Sequence, residues 1–231
     1  MKKIWFQGYI RFFFFQHQTY RKIISNPFYL KYMIPPSFEF QGKRYNYFHH
    51  KYNKTWKNER TIEIPIIREI VKNYRHKNIL EVGNVLSHYF SFNHDILDKY
   101  EIQDDVINLD VVDYHPNKKY DLIISISTLE HVGWDETPKD PVKPIKALDN
   151  LKSLLTPEGK IVITLPLGYN KNLDKLLKLD KIQFAEKFCL KRNYERNKWK
   201  EVNWGDLSYM KYNFHYYHAY ELIIGIIVRN N

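Results

Sequence analysis

Four short apolar segments of this 231-residue chain end in side chains that can bind ligands or move protons. The first is residues 79–83 (ILEVG), where a glycine lets the backbone approach a ligand closely and offer its amides as donors. Asp98 and Asp110 stand at the ends of the next two segments. The fourth leads into Ser127 and then His131. A histidine there is a candidate general base, because its pKa lies near neutrality.

Strands and helices that alternate along the chain must position these residues. The apolar runs predict strands at 78–82, 94–98, 106–109, 120–126, 160–165 and 222–228. Apolar stripes with helical spacing predict helices at 61–75 and 141–155, and the alternation around Gln41-Gly42 predicts a hairpin. Ile/Val runs separated by helices are typical of an α/β fold with a mostly parallel, twisted sheet. Ligands of such sheets bind beyond the carboxyl ends of the strands.

Three motifs in this order resemble those of the class I S-adenosylmethionine (SAM)-dependent methyltransferases. They are 81–83 (EVG), similar to the family's first motif, 120–132 (YDLIISISTLEHV), similar to its fourth strand and exit loop, and 155–165, similar to the turn and strand that follow. The resemblance covers about residues 58–167 and is specific as an ordered set, closest to methyltransferase-like proteins with an STLEHVG motif. It implies a Rossmann-like class I methyltransferase fold with helices on both faces, and SAM as the cofactor.

The resemblance also implies how the cofactor would be held. Glu81 and Gly83 would face its methionine part, through water or backbone. Asp98 would accept hydrogen bonds from both ribose hydroxyls. Asp110 and the amide of Val111 would flank the adenine edge.

The residues after the fourth strand would surround the reacting methyl group. Ser127 and the loop 128–131 would line the sulfonium, as the family implies. Positioning and desolvation supply much of the catalysis in such a displacement. His131 is the candidate catalytic base for a hydroxyl acceptor, and a structural role is the alternative.

The first motif departs from the family pattern. Further glycines are usual where this chain has Val85 and Ser87. Only ten residues, 84–93, separate Gly83 from the second strand, which is too few for a full-length helix.

The sequence therefore favours a SAM-dependent methyltransferase acting on a hydroxyl or similar group of a saccharide, lipid-linked or other small acceptor. A non-catalytic methyltransferase-like binding module is one alternative. An RNA or DNA methyltransferase is another, favoured by charge but not by motif, because no Asp/Asn-Pro-Pro-Tyr/Phe sequence follows the fourth strand. No metal site is expected, since the paired histidines lack ligands at zinc spacing.

The net charge of +10 is concentrated at one end of the chain. Residues 1–60 hold twelve Lys and Arg against two acids, whereas the rest holds 24 of each sign. We divide the chain into a basic, aromatic extension (1–57) and a methyltransferase-like domain (58–231). If residues 4–22 form a helix, residues 1–34 could bind an anionic membrane surface. The alternative is that the aromatic side chains of this segment pack onto the rest of the protein. A second basic stretch, 187–200, could contact a phosphate, a sugar or an anionic head group together with Trp199 and Tyr194, and a merely solvated segment is the alternative.

The expected location is the cytoplasm. The single cysteine, Cys189, cannot form an internal disulfide, which favours a reducing compartment. No apolar run reaches the ~20 residues that span a bilayer. Peripheral association with the inner membrane surface is compatible with the basic extension.

Overall fold

The computed structural model describes residues 36–193 and 198–229, so the predicted helix over 4–22 lies outside the described residues. The strands are β1 (Ser37–Phe40), β2 (Lys43–Asn46), β3 (Ile79–Val82), β4 (Asp95–Leu97), β5 (Val106–Ile107), β6 (Tyr120–Ile126), β7 (Leu155–Pro166), β8 (Glu186–Arg192), β9 (Trp199–Val202) and β10 (Glu221–Val228). The α-helices are α1 (Arg60–Asn73), α2 (Lys143–Ser153) and α3 (Lys171–Lys178), and short 3₁₀ helices cover Tyr52–Lys57, Leu86–His88 and Trp204–Asp206. None of these helices is long and apolar enough to cross a membrane.

Eight strands form one sheet in the order β5-β4-β3-β6-β7-β10-β8-β9. The five strands from β5 to β7 are parallel, whereas β10 runs antiparallel to both β7 and β8. The chain leaves β3 toward one edge of the sheet and returns to β6 on the other side, which places the topological switch point between β3 and β6. The predicted Rossmann-like fold with a mostly parallel sheet is confirmed.

The sheet has a hydrophobic core on each face. α1 packs on one face through isoleucines with helical spacing, including Ile62, Ile66 and Ile67. α2 and α3 pack on the other face through buried side chains such as Leu148 and Leu173. The helices therefore cover both faces, as a largely parallel sheet with buried strands requires.

The predicted hairpin is formed by β1 and β2. Gln41 (φ 49°) and Gly42 (φ 68°) occupy its turn, where both central residues need a positive φ. The aromatic face of the hairpin, represented by Phe38 and Phe40, is buried in the same core as α1. Residues 37–46 of the predicted extension thus share a core with the predicted domain.

The described residues of the basic stretch 187–200 lie mostly in the sheet, and Tyr194 lies outside them. β8 and β9 pair antiparallel across it. Trp199, expected from the sequence to contact an acceptor, is only 4% exposed, and its amide donates to the Tyr47 hydroxyl at 2.9 Å. That expectation is wrong for Trp199, because its side chain points into the core.

Candidate functional site

The loops after β3 and β6 meet at the switch point. Gly83 follows β3 with φ +85°, a conformation that favours glycine, and its amide donates to the Leu97 carbonyl at 2.8 Å. A side chain at residue 83 would collide with the side chain of Thr128. The glycine is therefore required for the close approach of these two loops.

Glu81 holds the loop after β3 in place. Its carboxylate is fully buried, and Oε1 accepts hydrogen bonds from the amides of Val85 (3.0 Å) and Leu86 (2.8 Å). Oε2 lies 2.7 Å from Nε2 of His94. The Glu81 carboxylate thus positions the loop amides. Any effect of Glu81 on ligand binding would be exerted by that backbone and not by the carboxylate itself.

The departure from the glycine pattern at Val85 has a structural explanation. The Val85 side chain is buried in the core with Leu86 and does not project from the loop. The connection to β4 contains only the 3₁₀ turn Leu86–His88, which confirms the prediction that ten residues are too few for a full-length helix.

Asp98 follows β4 and is largely occupied by backbone amides. Its Oδ1 accepts from Tyr100 and Glu101, both at 2.8 Å, and Oδ2 accepts from Asn84 at 3.1 Å. A carboxylate offers about four acceptor positions, so one remains for a ligand hydroxyl. Glu101, which the sequence analysis missed, adds a second carboxylate here, because it accepts from the side-chain amide of Asn84 at 3.0 Å.

Asp110, which follows β5, is an ion-paired carboxylate. Lys143 and Lys99 donate to it at 2.5 Å and 2.8 Å, and the amide of Val112 donates at 3.2 Å. Burial opposes its ionisation, but the lysine hydrogen bonds outweigh burial and lower the pKa of Asp110. Val111 beside it is buried, and its carbonyl accepts from Asn150 at 2.8 Å. A ligand at this edge would share Asp110 with two lysines.

Ser127 belongs to a buried network that ties α1 to the sheet. Its hydroxyl donates to Oε1 of Glu63 at 2.5 Å, and the Thr164 hydroxyl donates to the same atom at 2.6 Å. Oε2 of Glu63 pairs with Arg60 at 3.1 Å, and Arg60 also donates to the Ile126 carbonyl at 2.8 Å. The Ser127 hydroxyl is thus committed to Glu63, and this network fixes the exit of β6.

A cavity of about 210 Å³ lies beyond the end of β6. Its acidic and aromatic lining includes Glu59, Glu130, His131, Tyr169, Tyr212 and Tyr217. The ring centroids of Tyr169 lie 4.6 Å from His131 and 5.2 Å from Tyr212. No three His, Cys, Asp or Glu side chains of residues 36–193 and 198–229 are grouped to hold a metal ion.

Glu130 is the buried acid of this cavity. It is 2% exposed, and its Oε2 finds no hydrogen-bond partner in the described part of the chain. Burial raises the pKa of Glu130 well above its ordinary value. His131 lies at the mouth with its side chain 44% exposed, its Nδ1 2.6 Å from Asp135 and its Nε2 3.7 Å from Glu130. Glu130 belongs to the loop 128–131 that was expected to line the sulfonium, but only His131 was a candidate base from the sequence.

Glu59, at the start of α1, is a second buried acid that the sequence analysis missed as a site residue. Its Oε2 accepts from the amide of Ala219 at 2.9 Å. Burial, reinforced by the nearby charge of Glu63, raises the pKa of Glu59 from 4.5 to about 7.

Glu59 should make the free energy of unfolding depend on pH. Its carboxyl keeps its proton to a higher pH in the folded chain than in the unfolded chain, so stability falls as pH rises from about 4.5 toward about 7. We expect Glu59→Gln to remove this component, so that the variant loses less stability than the wild type between about pH 5 and about pH 8. Urea unfolding of both proteins at each pH measures the difference. Parallel pH dependence of the two proteins would contradict the assignment.

No family model matches the chain, and no curated protein sequence matches it. Several solved methyltransferase structures do. A TehB-like SAM-dependent methyltransferase from Corynebacterium glutamicum is 16% identical, with 71% of this chain and 86% of that chain covered and a TM-score of 0.44. The N-methyltransferase NodS from Bradyrhizobium japonicum, in complex with S-adenosyl-L-homocysteine, is 11% identical, with 74% and 92% covered and a TM-score of 0.41. A SAM-dependent methyltransferase from Clostridium acetobutylicum is 13% identical, with 71% and 89% covered and a TM-score of 0.37.

Proposed function

We propose that this protein transfers a methyl group from SAM to a small acceptor. One observation carries the proposal: two sets of groups flank the switch point at the carboxyl ends of the parallel strands. Asp98 and Asp110 lie after β4 and β5, and the cavity containing Glu130 lies after β6. Open α/β sheets bind ligands at this position, and a transferase needs a donor and an acceptor side by side.

The residues present are compatible with SAM. Gly83 lets the turn after β3 pack closely against Thr128, and Asp98 keeps one acceptor position for a ribose hydroxyl. Glu101 provides a second carboxylate in the same loop. Asp110 and the backbone of Val111 would lie at the adenine edge. When bound, SAM supplies an electrophilic methyl group on a positively charged sulfur.

The chain's own contribution to the reaction is positioning and exclusion of water. The hydrogen bonds of Glu63 to Ser127, Thr164 and Arg60 fix the loop between the donor side and the cavity. Preorganisation of this kind holds two reactants in an in-line geometry at little entropic cost. The aromatic lining of the cavity displaces water from the reacting groups.

The size of the cavity limits the acceptor. About 210 Å³ admits a small molecule or the terminal group of a saccharide or lipid-linked acceptor, but not a stacked duplex. His131 and Glu130 both face this space and are the candidate proton acceptors.

A methyl-acceptor screen tests the proposal. The full-length protein is incubated with SAM carrying an isotopically labelled methyl group and with pools of saccharides, lipid-linked sugars, amines and alcohols. Production of S-adenosylhomocysteine together with a labelled product supports methyl transfer. SAM binding with no acceptor in any pool would favour the non-catalytic module, and a salt-dependent nucleic-acid shift with labelled RNA or DNA would favour the nucleic-acid alternative.

We also propose that the basic N-terminal residues bind anionic membranes. Each Lys or Arg near an anionic lipid surface adds about 1 kcal/mol. We expect the full-length protein to co-sediment with phosphatidylserine vesicles at low salt and to be released as salt rises. Replacement of Lys2, Lys3, Arg11, Arg21 and Lys22 by glutamine should abolish most of this binding. Equal binding by both proteins would contradict the proposal.

A further inference from the structure

We propose that the acceptor group entering the cavity is a protonated amine, held by the Glu130 carboxylate and the surrounding aromatic rings. This inference rests on the proposed function and deepens it, because it names the chemical class of the acceptor. The sequence favoured a hydroxyl acceptor, and the charge and shape of the cavity favour an amine instead.

The buried carboxyls around the cavity outnumber the arginines beside them by one. Three carboxyls, those of Glu59, Glu63 and Glu130, are buried there. Arg60 is bound to Glu63 at 3.1 Å, and Arg192 lies close enough to Glu59 for their charges to interact.

Glu130 is the carboxyl left over. Its Oε2 is buried and has no hydrogen-bond partner in the described part of the chain, and Nε2 of His131 lies 3.7 Å from its Oε1. The charge of Arg60 also acts on Glu130, but the Arg60 guanidinium is hydrogen-bonded to Glu63 and to the Ile126 carbonyl. An unpaired buried carboxyl is costly in its charged form, and an ammonium group supplies both the missing charge and the missing hydrogen bond. Burial raises the pKa of the Glu130 carboxyl, and a cation bound beside it would oppose that rise.

The aromatic walls suit a cation as well. Tyr169, Tyr212 and Tyr217 line the cavity, and Tyr169 packs against the ring of His131. The faces of aromatic rings attract a cation within about 6 Å of their centroids. A hydroxyl group gains nothing comparable from such faces.

The Glu130 carboxylate also serves as the proton acceptor for the reaction. The ammonium group transfers a proton to the Glu130 carboxylate, which leaves a neutral amine with a free electron pair. That pair forms a bond to the methyl carbon of SAM as the carbon–sulfur bond breaks and its electrons pass to sulfur. The products are an N-methylammonium group and S-adenosylhomocysteine, and Glu130 later releases its proton to water.

Binding of two small probes of similar shape tests the charge requirement. Tetramethylammonium carries a permanent charge, whereas tert-butanol is neutral. In ligand-observed NMR with the full-length protein and no SAM, we expect tetramethylammonium to bind and tert-butanol to show no saturable binding. Glu130→Gln should weaken tetramethylammonium binding about 10- to 100-fold. Glu158→Gln, an exposed glutamate near the start of β7, is the matched control and should leave binding unchanged.

A second variant keeps the test informative if Glu130→Gln does not fold. Tyr169→Leu removes an aromatic face but no charge, and should weaken tetramethylammonium binding several-fold. Equal affinity for the two probes, or full affinity in a folded Glu130→Gln variant, would overturn the inference. Parallel SAM titrations separate the two proposals. Binding of SAM without tetramethylammonium overturns the amine acceptor alone, and binding of tetramethylammonium without SAM overturns the proposed methyl transfer.

Discussion

Glu130→Gln is expected to lower the rate of methyl transfer about 10²- to 10⁴-fold, with little change in SAM affinity. The substitution keeps the size of the side chain but removes its ability to accept a proton. Because Glu130 lines the acceptor cavity and not the loops after β4 and β5, the cofactor side should be intact. Single-turnover rates with a saturating amine acceptor, together with SAM titrations, measure both quantities.

His131→Ala distinguishes the two candidate bases. His131 is 44% exposed and bound to Asp135, so its removal should slow transfer less than Glu130→Gln does. If His131 is instead the base expected for a hydroxyl acceptor, His131→Ala carries the 10²- to 10⁴-fold loss. A Glu130→Gln variant with the wild-type rate would contradict the assignment of Glu130.

Glu63→Ala is expected to cost about 3–5 kcal/mol of unfolding free energy, the range for breaking a buried ion pair from one side. Its removal leaves the Arg60 guanidinium, 14% exposed, without its partner. The hydroxyls of Ser127 and Thr164 also lose their shared acceptor. The loop after β6 should loosen as a result, so SAM-dependent activity falls together with stability.

Glu69 provides the matched control on the same helix. It pairs with Lys43 at the surface, where the two side chains are 39% and 53% exposed. Exposed pairs contribute little to stability because solvent screens their charges, so Glu69→Ala should unfold in urea almost like the wild type. Similar losses for Glu63→Ala and Glu69→Ala would show that the buried network does not stabilise the fold.

Sequence periodicity predicted the elements whose apolar pattern is strong. β6 has the predicted bounds, α1 begins one residue earlier and ends two residues earlier than predicted, and the hairpin turns at the predicted Gln41-Gly42. β8 and β9 escaped prediction because lysines and arginines interrupt their alternation and suggest a solvated segment. The antiparallel direction of β10 also could not be predicted, since an apolar run has no direction of its own.

The candidate site also has a part that the sequence predicted and a part that it did not. The ends of the strands were predictable, and with them the positions of Gly83, Asp98 and Asp110. The occupancy of each carboxylate was not, because the three amides on Asp98 come from folded loops, and the two lysines on Asp110 come from the loop after β4 and from the start of α2. Glu59 and Glu63 stand at the start of α1 without a motif of their own, and only the folded chain brings Ala219 to Glu59 and the hydroxyls of Ser127 and Thr164 to Glu63.

The aromatic residues of the cavity are far apart in the sequence, which is why they could not be assigned to one site before the fold was known. Tyr212 lies 81 residues after His131 and in a loop with no strong pattern, so the sequence offered no sign that it reaches the cavity. The pair Glu130-His131 was visible, and the one available signal for Glu130 was its position directly after a buried apolar run.

Calorimetric titration of SAM into the full-length protein and its Asp98→Ala variant tests the central claim most directly. We predict one SAM site per chain in the wild type and an affinity weaker by about 1.5–3 kcal/mol in Asp98→Ala, the loss of a charged hydrogen bond. Asp149→Ala, which changes an exposed aspartate of α2, should bind like the wild type, and circular dichroism should show that all three proteins are folded. Absence of SAM binding in the folded wild type, or unchanged affinity in folded Asp98→Ala, would contradict the account.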